Sequence, residues 1–186
     1  MDHLPIWLSL EGSRVTIVGS GLAAVAKARI AAKAGAEVVI ASPSITDHIQ
    51  TVIGAGLARH ESCDYLQFDP SGSSLIFVAT EHVESDRAVA ALSRQAGVLV
   101  NVVDRPDSSD FLMPAIIDRG AVVVGISTGG VAPALAANIR TKIESILHSK
   151  LGILANFSGF FRDTVRDAFP LTKDRIRFWR KVFNGI

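Results

Sequence analysis

One stretch constrains this chain more than any other: Arg14-Val15-Thr16-Ile17-Val18-Gly19-Ser20-Gly21-Leu22-Ala23-Ala24, an apolar run that breaks into a glycine pair and restarts as an alanine-rich segment. Branched apolar residues, a glycine turn and then strong helix formers read as strand, tight turn and helix. In that setting Gly19 lets the strand end turn sharply. Gly21 removes the side chain that would keep a pyrophosphate off the backbone, and Ala24 stands where the dinucleotide fingerprint wants a third small residue. The amides at the new helix start are then a phosphate cradle. A bare Gly-x-Gly joins many strands to helices, so it is the flanking strand and helix that point to a dinucleotide.

Around this unit the chain alternates strands with helices. A leading strand or extended segment is expected at Ile6 to Leu10, before the turn Glu11-Gly12-Ser13. The helix from Ala23 to Ala34 closes on Gly35, and Glu37 to Ala41 reads as a second buried strand. Ile45 to Ile53 has helical character. Leu57 to Glu61, Leu75 to Ala79 and Val98 to Val103 read as strands, with a helix from Ser85 to Gln95 before the last. This order predicts an α/β fold, a Rossmann-type doubly wound parallel sheet. After Asp104 the pattern changes to a polar loop at Arg105 to Asp110, an apolar stretch from Phe111 to Ile117, a strand at Ala121 to Ile126, and a second glycine turn at Ser127-Thr128-Gly129-Gly130. Pro133 opens a helix running to about Leu147 with an apolar stripe at Leu135, Ile139, Ile143 and Ile146. The remainder predicts two basic helices divided by Pro170. Three parts follow: a dinucleotide domain over 1–113, a dimerisation segment over 114–147 and a helical region over 148–186.

Hydrophobic residues make up 48% of the 186, enough for a sizeable core. The net charge is +1, so no global field argues for nucleic acid or a membrane surface. No window approaches the roughly 18 apolar residues of a membrane span. The start lacks the marks of a signal peptide, and a single cysteine, Cys63, suits a reducing compartment. The expected location is cytoplasmic. No Cys/His spacing resembles a metal site, and His3, His48, His60, His82 and His148 read as scattered surface or boundary residues. A short-chain dehydrogenase is poorly supported, because the sole tyrosine, Tyr65, is followed four residues later by Asp69 rather than lysine.

Four further pieces carry a family likeness: Asn101-Val102-Val103-Asp104, Phe111-Leu112-Met113-Pro114-Ala115-Ile116-Ile117-Asp118-Arg119, Ser127-Thr128-Gly129-Gly130-Val131-Ala132-Pro133 and Arg177-Phe178-Trp179. With the opening Asp2-His3-Leu4-Pro5-Ile6 and the glycine turn, they make the whole chain resemble the amino-terminal half of the siroheme synthase family, the precorrin-2 dehydrogenase/ferrochelatases. The resemblance implies NAD-dependent oxidation of precorrin-2 to sirohydrochlorin, insertion of ferrous iron, and a homodimer. It places NAD on Gly19, Ser20, Gly21, Leu22 and Ala23, on Ser42-Pro43-Ser44, on Ala79-Thr80 and beside Val103. Asp104 matches the carboxylate implicated in both steps, and Arg105, Arg119, Ser127 and Thr128 stand where the tetrapyrrole substrate is expected. In its favour, Asp104 follows directly on a strand end, where open parallel sheets present ligands. The bland alternative is an Asp capping the turn before Arg105-Pro106.

Departures from the family pattern are Ser20 within the turn, Ala23-Ala24 for a Val-Ala pair, Ala26 for an arginine before Lys27, Glu81-His82 for an Asp-Asp pair after Thr80, and Ala132 for a serine. The acidic residue that the fingerprint wants after the second strand is also missing, with Ser42 or Ser44 left to serve the ribose. No arginine offers a 2′-phosphate clamp there, which favours NAD over NADP. A non-catalytic NAD-sensing domain on the same fold is the rival reading. The basic carboxy-terminal helices are either a solvated face or partners for substrate carboxylates.

Overall fold

The computed structural model describes residues 2–184, which divide into two compact units. The first comprises residues 2–113 with Gly129–Val131, the second Pro114–Thr128 with residues 132–184.

The first unit is built on five parallel strands, β1 (Arg14–Val18), β2 (Glu37–Ser42), β3 (Arg59–Ser62), β4 (Leu75–Val78) and β5 (Leu99–Val102), in the order β3-β2-β1-β4-β5. Helices α1 (Leu22–Lys33), α2 (Asp47–Gly54) and α3 (Val83–Gln95) form the crossovers. Strands β1 and β4 are paired from Val15↔Leu75 to Val18↔Val78 and lie on either side of the point where the chain reverses its progress across the sheet. Both strands are covered on two faces, and Val15, Ile17, Val18, Ile76 and Val78 are completely buried. This is why they read as continuous apolar runs without alternation. One face packs on α1 through Ala24, Ala28 and Ala31, whose small side chains let the helix approach closely. The other face packs Val18, Ile76 and Val100 with Val89 and Ala90 of α3. Helix α1 closes on Gly35, which has φ +82° and donates its amide to the Ala32 carbonyl.

One expectation changes in this unit. Residues 6–10 form no strand: the segment is irregular and mostly exposed, with Leu10 packed against the core and its carbonyl accepting from Ser13 N–H. The loop after β3 contains a short 3-10 turn at Tyr65–Gln67, capped by Asp64.

In the second unit β6 (Ala115–Arg119) and β7 (Val122–Ile126) form an antiparallel hairpin in register Ala115↔Ile126, turning through Gly120 at φ +75°. The apolar stretch at Phe111 to Ile117 thus contributes a strand of its own. Helix α4 spans Pro133–Ile146. The carboxy-terminal region holds three helices rather than two, α5 (Leu151–Phe160), α6 (Arg162–Ala168) and α7 (Thr172–Phe183), with Pro170 in the break between the last pair. Helix α5 lies so close to the hairpin that a Cβ on Gly152 would collide with the Arg119 carbonyl oxygen. The stripe on α4 is not sealed: Leu135 is 53% and Ile146 79% exposed, and Ala136 is the residue that buries.

Candidate functional site

The carboxyl edge of the parallel sheet gathers most of the expected residues. At its centre Gly19 has φ +134°, and a Cβ there would collide with the carbonyl of Ala79. Its amide donates to the Ala41 carbonyl at 3.0 Å, and the Ala79 amide donates to Val18 at 2.8 Å. Only glycine satisfies both the left-handed backbone and the contact. Ser20 is held from two sides: Thr46 Oγ1 donates to its carbonyl at 2.7 Å, and its side chain hydrogen-bonds Tyr65. Burial pushes the Tyr65 hydroxyl up, the Ser20 bond opposes this, and the charges of Glu81 and Asp86 add to the rise.

Gly21 is the N-cap of α1, with φ −86° and ψ −174°, and no side chain caps the helix. The first-turn amides, including those of Leu22 and Ala23, therefore have no side-chain acceptor, and the first turn carries no acidic residue. This is a ready anion cradle. A cradle that a Cβ would fill and a helix end without its own cap fit the pyrophosphate of a dinucleotide.

Beyond β2, Ser42 is fully buried and its hydroxyl is spent within the protein, donating to the Ser44 carbonyl at 2.9 Å and lying 3.0 Å from His60 Nε2. Pro43 and Ser44 are exposed, so Ser44 offers the accessible hydroxyl of this turn. Beyond β4, Thr80 is fixed by a residue that sequence reasoning missed: buried Asp86 of α3 accepts from Thr80 N–H at 3.2 Å and from Oγ1 at 2.6 Å. Arg105 Nε stands 3.9 Å from the other Asp86 oxygen.

Beyond β5, Val103 donates from its amide to Val78 and packs on the α1 side of the core. Asp104 is exposed and left-handed, with φ +59°. Lys27 of α1 is half-buried, with Nζ 5.7 Å from the centroid of the Phe77 ring. Burial lowers its pKa, and the Asp104 charge works against that shift. Sequence reasoning noted Lys27 only as the neighbour of Ala26.

The remaining expected residues lie in the second unit. The Arg119 guanidinium pairs with Glu144 at 3.3 Å, and Glu144 also pairs with Arg140 at 3.0 Å. Thr128 Oγ1 accepts from the Ala132 amide at 3.2 Å, ahead of Pro133 at the start of α4. Ser127 lies in the same turn. Among the described residues no group of three His, Cys, Asp or Glu gathers as a metal site, and no helix is long and apolar enough to cross a membrane.

Strand order, a glycine turn at the reversal point and an open helix end define a dinucleotide-binding Rossmann unit. In agreement, residues 6–115 match the family described as "Putative NAD(P)-binding", and the chain belongs to that family. Residues 150–186 match the family described as "Sirohaem synthase dimerisation region". That match falls on α5 to α7, whereas the sequence reading put dimerisation at 114–147. Over its whole length the chain is similar to siroheme synthase of Methylococcus capsulatus, at 40% identity over 185 residues, and to that of Chromobacterium violaceum, at 38%. It spans 39% of each of these relatives. Among solved structures it shares its fold with SirC, precorrin-2 dehydrogenase, at a TM-score of 0.72 and 22% identity, covering 93% of this chain and 85% of that one.

Proposed function

We propose that this chain is an NAD-dependent precorrin-2 dehydrogenase, with the uncapped glycine turn holding the cofactor and Asp104 serving as the base. The observation that carries the reading is the juxtaposition at one sheet edge: the anion cradle at Gly21 follows β1, and an exposed carboxylate follows β5. Similarity to siroheme synthases over the full chain supplies the substrate class. NAD, when bound, supplies the hydride acceptor. The amides of Leu22 and Ala23 bind its pyrophosphate, and Thr80, pinned by Asp86, lines the turn beside it. Removing hydride from the reduced macrocycle leaves a proton, and Asp104 accepts it. The products are sirohydrochlorin, NADH and that proton.

The same carboxylate serves ferrous iron insertion, taking pyrrole protons as the metal enters the macrocycle. Arg105, Arg119, Ser127 and Thr128 are assigned to the substrate carboxylates, with Arg119 exchanging its bond to Glu144 for a bidentate substrate pair. The second unit makes a homodimer.

Two variants test the core of this reading. Gly21→Asp puts a charged side chain into the cradle and abolishes NAD binding in a calorimetric titration. Asp104→Asn keeps NAD binding and loses roughly 10²–10⁴ in anaerobic conversion of precorrin-2, the usual worth of a general base. Wild-type protein that binds NAD yet turns over neither precorrin-2 nor sirohydrochlorin belongs instead to the NAD-sensing class.

A further inference from the structure

The turn after β4 carries a carboxylate that the reaction does not use. Glu81 is one of two non-glycine residues with positive φ among the described residues, at +66°. Its side chain lies over the glycine turn, where a Cβ added to Gly21 would collide with Oε1. Gly21 caps α1, and that helix has neither a side-chain cap nor an acidic residue in its first turn. An anionic group therefore already stands at the positive end of α1, on the ground that a pyrophosphate needs.

The backbone that aims it is fixed. Thr80 is held by buried Asp86 through both amide and hydroxyl, and the His82 amide donates back to Thr80 Oγ1 at 3.2 Å. The Glu81 side chain is exposed. The charges of Glu81 and buried Asp86 are both felt at Tyr65.

Building on the assignment of NAD to this turn, we infer that Glu81 competes with the dinucleotide pyrophosphate for the α1 amides. In the free protein its carboxylate holds the anion position. Cofactor entry turns the side chain out, where it stays close enough to repel the two phosphate charges. Glu81 thus sets the cofactor affinity of this site and speeds release of the spent dinucleotide.

The experiment titrates NAD and ADP-ribose into the full chain by calorimetry, for wild type, Glu81→Gln and Glu81→Gly. Glutamine keeps size and removes charge; glycine removes the side chain and relaxes the left-handed backbone. Both variants are expected to bind both ligands roughly three- to tenfold more tightly, the scale of one charge at a helix terminus and beside a phosphate. Wild type binding NAD as well as or better than Glu81→Gln overturns the inference and leaves the cofactor site standing. A gain for NAD with none for ADP-ribose overturns it too, because the carboxylate then acts at the nicotinamide end. If neither wild type nor Glu81→Gln binds NAD, the cofactor reading falls and takes this inference with it.

Discussion

Asp104 combines two demands in one residue. Its φ of +59° places it where most side chains clash with the following carbonyl, and Asp and Asn are the non-glycine residues that tolerate this best. Chemistry and backbone can therefore be separated. Asp104→Asn should retain wild-type stability while losing the base, whereas Asp104→Ala should also lose about 1 kcal/mol in urea denaturation through the left-handed backbone. Equal stability of the two variants would show that the turn relaxes without cost. Cys63 offers a second residue-scale check. Its thiol is pushed up by burial first and then by the carboxylates of Asp64 and Glu61. Fewer thiolates are present at any pH below the raised value, so the folded chain at pH 8 should react with a disulfide reagent more slowly than the same chain in urea. Matching rates would remove the electrostatic account of this site.

At the scale of elements, glycines without a conformational need mark contacts. Gly152 sits inside α5, and a methyl group there would drive into the Arg119 carbonyl at the hairpin turn. Gly152→Ala, neutral or favourable by helix propensity, should instead destabilise the second unit by about 1–3 kcal/mol, read as a lower melting transition. The parallel sheet was legible in the residues because fully buried strands show as unbroken runs such as Leu75 to Val78, and because each helix closes on a glycine. Strand β6 was not, because its apolar residues merge with Phe111 to Met113 into one run and its partner is chosen by the Gly120 turn. The cradle was legible for the same local reason as the strand before it. Asp86 and Glu81 were not, since their roles arise from a backbone turn and from approach across the sheet edge rather than from spacing along the chain.

For the whole molecule, the apolar surface is unevenly spent. In the second unit Ile146, Ile153 and Phe160 are 79%, 68% and 82% exposed, apolar surface open to a partner. The proposed homodimer covers them. Light scattering should report twice the protomer mass, and Ile146→Glu and Phe160→Glu should each shift the population to monomer. Loss with Phe160→Glu alone would confine the interface to α5 to α7, the stretch matching the dimerisation family, and exclude α4. A wild-type monomer at micromolar concentration would overturn the assembly.

The division of the chain into units also orders its synthesis. Gly129–Val131 belongs with the first unit, and Gly130 presses so closely on Pro106 that no Cβ would fit there. A nascent chain that has just released Met113 from the ribosome holds all five parallel strands but lacks the piece that closes over the loop following β5. That loop waits, open, for the hairpin and the second glycine turn to emerge behind it. The Rossmann unit is thus finished only after part of its neighbour has been made, and a fragment cut at residue 113 would keep the sheet while losing the contact of Gly130 with Pro106 and Leu112.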